Sequence, residues 1–305
     1  MTGNAVEIAA VAKEYGGLSA VRDADLVLRA GECVALAGHN GAGKTTLIKL
    51  MVGLIRPTHG RVAVLGEDPA ARTGANSRLD IGYLPENLAF HPAMTGAQTL
   101  AFYARLKRRP VEGNAGLLAR VGIAGAAARR VGTYSKGMRQ RLGLAQALLG
   151  NPKVLLLDEA TTGLDPALRQ SFYEIIRELR NRGTAVLLSS HALAEIEGQV
   201  DRIIIMNRGR KVADGTMADL RRAAALPIRI RVRLGALRLV VNDRSGELDG
   251  WSKVGEREFE FSCLERDKVA AIQSLGSVRA PIDDVDVLQP SLDDLYAHFL
   301  KREDG

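Results

Sequence analysis

Residues 34–55 read VALAGHNGAGKTTLIKLMVGLI. An apolar strand, a glycine-rich turn and an amphipathic helix follow one another without a gap, which is the context in which G-x-x-x-x-G-K-[ST] binds phosphate. Gly38, Gly41 and Gly43 let the backbone curl so that its N–H groups face a β-phosphate. Lys44 reaches the β and γ oxygens, and the Thr45 hydroxyl ligates magnesium. His39, Asn40, Ala42 and Thr46 complete the nucleotide-binding set.

The flanking sequence fits an α/β protein. KVLLLDEA and TAVLLSSH are continuous apolar runs bounded by turn signals, as expected for parallel strands covered on both faces. PALRQSFYEIIRELRNRG between them repeats apolar residues at helical spacing and closes on Gly183, a C-cap signal. RVAVLG and RIIIMNRGRKVADG read as hairpin strands, and residues 88–150 form a largely helical insert. The expected fold is a P-loop core, a mixed sheet with helices on both faces, over residues 1–225. Residues 226–305 then form a small α+β domain of their own. In it IRIRVRL alternates with period two, a half-buried strand with an arginine face. That face could grip phosphates; a charged outer face that blocks strand pairing is the preferred reading.

Composition narrows the class. The 305 residues carry 42 Lys and Arg against 35 Asp and Glu, a net charge of +7. From Leu220 onward the balance is 14 basic to 15 acidic, so the excess, 28 against 20, lies in the part with the phosphate loop. Few aromatics argue against a base-stacking surface, and no nucleic-acid partner is expected. Cys33 and Cys263 have neither redox nor zinc spacing, which suits a reducing compartment. The first residues carry no signal-peptide pattern, and no run reaches the roughly 18 apolar residues of a spanning helix. Membrane work would therefore need a partner.

Further motifs bring chemistry to the same sheet edge. VLLLDE ends a buried strand with Asp158, placed to hold magnesium, and Glu159, placed to take a proton from an attacking water. An acidic strand-to-loop cap is the competing reading. SSH brings His191 to the next strand end, where an imidazole can bridge γ-phosphate and water; a structural histidine competes. TYSKGMRQRLGLAQALLG (residues 133–150) sets a second small turn at the head of a basic helix, the usual design of an anion site.

In the order phosphate loop, YSKGM, VLLLDE, GLDP, SSH, the chain resembles the nucleotide-binding subunit of ABC transporters, from Val6 to about Leu220. The resemblance implies a homodimer with chains head to tail. Ser135, Lys136, Gly137 and Met138 of one chain would close on the γ-phosphate held by Lys44 of the other. It also implies that Tyr15 stacks on adenine and that Asp165 crosses the dimer seam. A surface aromatic and a helix cap before Pro166 are the alternatives. Three departures stand out: Glu86 of GYLPEN replaces a glutamine that contacts magnesium and water, Lys136 and Met138 replace the Gly and Gln of the signature loop, and Ala160 replaces a proline.

Several short motifs, among them GYLPEN, FYARLK, LPIRIR and QPSLDDLY, narrow the likeness to ATPases of nitrous oxide reductase maturation transporters, a copper-processing system. Relatives in ABC-2 type exporters share the PSLDDLY ending. The resemblance implies ATP and Mg²⁺ as ligands and a separate transmembrane permease as partner. A periplasmic cargo protein joins in the copper-processing reading. The chain would sit peripherally on the cytoplasmic side of the inner membrane. A drug or lipid exporter ATPase and a soluble ABC ATPase are the alternatives. No Cys, Met or His cluster has metal-ligand spacing, so the chain itself is not expected to bind copper.

Overall fold

The structure, a computed structural model, describes residues 3–72, 74–235, 250–277 and 281–304. Its strands in chain order are β1 (Asn4–Tyr15), β2 (Leu18–Arg29), β3 (Cys33–Ala37), β4 (His59–Val64), β5 (Ile81–Leu84), β6 (Val154–Asp158), β7 (Ala185–Ser190), β8 (Arg202–Asn207), β9 (Arg210–Gly215), β10 (Ile228–Leu234), β11 (Ser252–Lys253), β12 (Glu258–Cys263) and β13 (Ile282–Leu288). The helices are α1 (Lys44–Val52), α2 (Ala75–Leu79), α3 (Gly96–Leu106), α4 (Asn114–Arg120), α5 (Lys136–Ala147), α6 (Pro166–Asn181), α7 (Leu193–Ile196), α8 (Met217–Ala224), α9 (Lys268–Ser274) and α10 (Leu292–Asp304). The chain divides into two compact units, residues 1–216 and 217–305.

The first unit is built on a six-stranded sheet in the order β5-β6-β7-β3-β8-β9, parallel except for β9. Strands β3, β6 and β7 are buried along their whole length, which is why their sequences are continuously apolar instead of alternating. Val34, Leu36, Leu156, Leu187 and Ile204 form the centre of its core. A second sheet, β2-β1-β4, is antiparallel. RVAVLG is therefore not half of a hairpin with its sequence neighbour: β4 pairs with the distant β1. The other expected hairpin is β8–β9. The insert holds α3, α4 and α5. Asp165 caps α6 by accepting the Leu168 N–H at 3.0 Å, Pro166 opens the helix, and Gly183 follows its end at φ 91°.

The second unit begins upstream of the expected boundary at residue 225, because α8 belongs to it. Leu220 of α8 is buried, and Arg221 Nε donates to the Pro290 carbonyl at 3.0 Å. Its four-stranded sheet has the order β11-β12-β10-β13. Ile228, Ile230 and Val232 pack with Ala271 and Leu275 into a small core of its own. The arginine face of β10 does not block pairing, because β10 is a central strand. Arg231 stands opposite Glu260 on one side and Asp286 on the other, and Arg233 opposite Glu258 and Asp284. The Arg231–Glu260 and Arg233–Asp284 ion pairs measure 3.1 and 3.2 Å. Arg231 and Arg233 are thus neutralised across the strands, which also argues against phosphate capture there, while Arg229 stands opposite Ser262 and Leu288.

Trp251, the one tryptophan of the sequence, stacks on Phe261 in this second unit, so its emission reports that unit alone. Arg231→Glu sets like charges side by side and should lower the unit's stability by about 1 kcal/mol, read as a lower urea midpoint of Trp251 emission. Adding Glu260→Arg should restore most of the loss. An unchanged midpoint in the single variant would show that the charge ladder contributes nothing.

Candidate functional site

The C-terminal end of β3 runs into the glycine-rich turn because the chain there passes too close to its neighbours for side chains. A Cβ on Gly38 would stand 2.8 Å from the Met206 carbonyl oxygen, and one on Gly43 2.6 Å from that of Ala20. Gly43 also sits at φ 101°, a conformation open to glycine at little cost. Helix α1 starts directly after it with no side-chain cap and no acidic residue in its first turn. Its leading N–H groups are thus left to an anion. The β8–β9 turn braces the loop from outside: Gly209 N–H donates to the Ala42 carbonyl at 3.1 Å, and Arg22 N–H to that of Gly209 at 2.8 Å.

Lys44 is 5% exposed and folds back over the loop. Its ammonium donates to the carbonyl of Gly38 at 2.5 Å and of His39 at 3.3 Å, and lies 3.4 Å from Glu159 Oε1. The second Glu159 oxygen accepts from His191 Nδ1 at 2.7 Å. Glu159 itself stands at φ 51°, rare for a residue with a side chain and common at functional turns. With Nδ1–H spent on Glu159, a neutral His191 ring presents only a lone pair at Nε2. The geometry makes it an orienter of Glu159; a direct bridge from neutral imidazole to a phosphate oxygen would require the ring to turn.

Asp158, 1% exposed, uses Oδ1 to accept both the Thr45 hydroxyl at 3.2 Å and the Ser189 hydroxyl at 2.7 Å. Its Oδ2 is buried without a hydrogen-bond partner. An anionic oxygen held open beside a threonine hydroxyl fits a hard cation. Mg²⁺ commonly takes roughly one or two carboxylates and fills its shell with water and phosphate. Accordingly, no group of three or more His, Cys, Asp and Glu among the described residues is placed to enclose a metal ion. Burial first, and then the Asp158 carboxylate, push the neighbouring Tyr83 hydroxyl up to about 12.

Lys44, Thr45 and Glu159 open on a cavity of about 450 Å³, inside the roughly 300–1,000 Å³ range of small-molecule sites, while Asp158 and His191 stand outside its lining. His39, Asn40, Gly41, Ala42, Gly43, Lys44, Thr45, Thr46, Glu86 and Glu159 line it, so the structure brings the glycine-rich loop, Glu159 and Glu86 together. Arg22, Arg208, Leu18 and Ser19 line it too. Sequence reasoning missed them because they come from β2 and from the β8–β9 turn. The glycine of NRGR was the one local sign of a tight turn there. Tyr15 is outside the lining, 46% exposed, with the Lys13 ammonium 5.1 Å above its ring.

Residues Ser135, Lys136, Gly137 and Met138 are also outside this lining. Ser135 caps α5 by accepting the Met138 N–H at 3.2 Å, and Ser135 and Lys136 are exposed. Asp165 is likewise an exposed cap. Helix α5 is nevertheless tied to the segment that carries Glu159: buried Gln140 donates to the carbonyl of Ala160, the next residue, at 3.0 Å.

A family model described as ABC transporter matches residues 21–162. The chain is 42% identical to the ABC transporter ATP-binding protein YxlF of Bacillus subtilis, over 90% of this chain and 88% of the relative. It is 34% identical to the daunorubicin resistance ATP-binding protein DrrA3 of Streptomyces coeruleorubidus, over 98% and 96%. Among solved structures, an ATP-binding subunit of an ABC transporter is similar with a TM-score of 0.67 at 31% identity, over 72% of this chain and 92% of that one.

Lys44→Ala removes a cation buried against the loop. Mg·ATP binding by calorimetry should weaken about 10- to 100-fold, the loss of a hydrogen-bonded charge worth roughly 1.5–3 kcal/mol. Unchanged affinity would move the phosphate site elsewhere.

Proposed function

Because this chain belongs to the ATP-binding subunits of ABC transporters, a family that hydrolyses ATP, we propose that it is the ATPase of an exporter and drives a separate transmembrane protein. Similarity to a drug-resistance ATPase over 98% of the chain, second unit included, supports the exporter reading. No helix among the described residues is long and apolar enough to cross a membrane. The subunit would sit at the cytoplasmic face, held by its permease.

The α1 N-terminus and Lys44 bind the β and γ oxygens. Asp158 and Thr45 would hold Mg²⁺, with Glu86 at its water side; the ion neutralises charge on the phosphate oxygens when bound. Glu159 accepts a proton from the water that attacks the γ-phosphorus, while the bond to ADP breaks and its electron pair leaves with ADP. His191 keeps the carboxylate turned toward that water. Tyr15 would reach adenine from the β1–β2 turn.

The observation that carries the dimer reading is that one chain holds two phosphate-reading turns and only one lines its own cavity. The exposed α5 terminus, with Ser135 through Met138, would close on the cavity of a second chain. Asp165 would then cross the seam. Lys136 adds a cation where the family has glycine.

A role in nitrous oxide reductase maturation rests on the short motifs GYLPEN, TYSKGM and LPIRIR. In that reading copper or sulfur handling falls to the permease and a periplasmic cargo protein. Co-purification with an integral membrane protein separates both readings from a soluble ATPase.

Glu159→Gln keeps the packing but cannot take the proton. Sedimentation should show this variant as a dimer with Mg·ATP and a monomer without it. Adding Ser135→Arg should abolish the dimer while each chain still binds ATP. A Glu159→Gln chain that stays monomeric at saturating ATP would refute the two-chain site.

A further inference from the structure

The serine two residues before His191 has no role in the chemistry above, yet it occupies the centre of the buried network. The parallel register sets Ser189 of β7 directly beside Asp158, the last residue of β6. The residue is 2% exposed, and its hydroxyl makes two hydrogen bonds of opposite sense. It donates to Asp158 Oδ1 at 2.7 Å and accepts the Glu159 N–H at 2.9 Å. One proton and one lone pair so arranged leave the hydroxyl a single orientation, and each bond polarises the other.

We propose that Ser189 is a positioning residue of the hydrolytic site, fastening the metal-side carboxylate of Asp158 to the backbone of the base Glu159. Two consequences follow from the atoms involved. Holding Oδ1 together with Thr45 fixes the carboxylate rotation that leaves Oδ2 open to the cation. Anchoring the Glu159 amide holds that residue at φ 51°, a left-handed backbone state that L-residues rarely adopt. The direction of the Glu159 side chain toward Lys44 and His191 depends on that φ. Ser189 thereby makes metal placement and base placement one event. Outer-shell partners of this sort typically carry about 10- to 100-fold in metal affinity or activity.

The inference rests on the proposed roles of Asp158 and Glu159, and the test separates the two. Ser189→Ala deletes the fastener, Ser189→Thr keeps the hydroxyl, and Glu159→Gln checks the base. In Ser189→Ala, kcat should fall about 10- to 100-fold and the KM for Mg·ATP should rise in step with the lost metal affinity, while the binding of metal-free ATP stays within about twofold. The affinity for Mn²⁺ in the presence of a non-hydrolysable ATP analogue, followed by electron paramagnetic resonance, should drop about tenfold or more. Ser189→Thr should recover both properties. Wild-type kcat and Mn²⁺ affinity in Ser189→Ala would overturn the proposal. So would a parallel loss of metal-free ATP binding in both serine variants, the mark of a merely structural residue. Undiminished turnover in Glu159→Gln would instead sink the base assignment on which the proposal stands.

Discussion

Lys44, Asp158 and Glu159 are three charges taken almost wholly out of water, and the fold is organised around satisfying them. A buried charge without partners costs several kcal/mol. Here the Lys44 ammonium rests on loop carbonyls and on Glu159, while Asp158 draws in two hydroxyls from different elements. This requires β3, β6 and β7 to be adjacent and parallel, so that all three deliver their C-terminal ends to one place. Full burial of those strands supplies the rigidity. Asp158 Oδ2 is left without a hydrogen-bond partner, and it is the oxygen that the proposed chemistry assigns to a cation.

The same arrangement explains how distant parts of the chain can influence hydrolysis. Gln140 connects the helix behind the signature turn to the carbonyl next to Glu159. Arg169 pairs at 3.0 Å with Glu195, which accepts the Thr161 hydroxyl at 3.2 Å, so α6 and α7 both hold the loop that follows the base. In the proposed dimer, a turn that touches one nucleotide would therefore be joined, within its own chain, to the base serving another. That linkage is what a two-chain ATPase needs if both sites are to close together.

The phosphate loop, the acidic strand end and the signature helix were legible because each is a local pattern: a glycine turn between strand and helix, a buried strand ending in carboxylates, a serine cap. What escaped the sequence depends on strand order. Ser189 looks like any strand serine until the register sets it beside Asp158. Arg22 and Arg208 reach the cavity only because β2 and the β8–β9 turn wrap the loop. The arginine row of β10 was misread as an edge device, since its partners Glu258, Glu260, Asp284 and Asp286 lie far off in sequence on two other strands. The α8 boundary was misplaced for a like reason, its anchor being the remote Pro290.

The central claim is that each working site takes its phosphate loop from one chain and its signature turn from another. Mixing two inactive chains tests it directly. A Lys44→Ala chain keeps its signature turn, and a Ser135→Arg chain keeps its phosphate loop, so a mixed pair contains one intact composite site. ATPase activity of the mixture should rise well above that of either variant alone and peak near equal amounts. Activity that never exceeds the sum of the separate variants would mean that both turns serve a site within one chain.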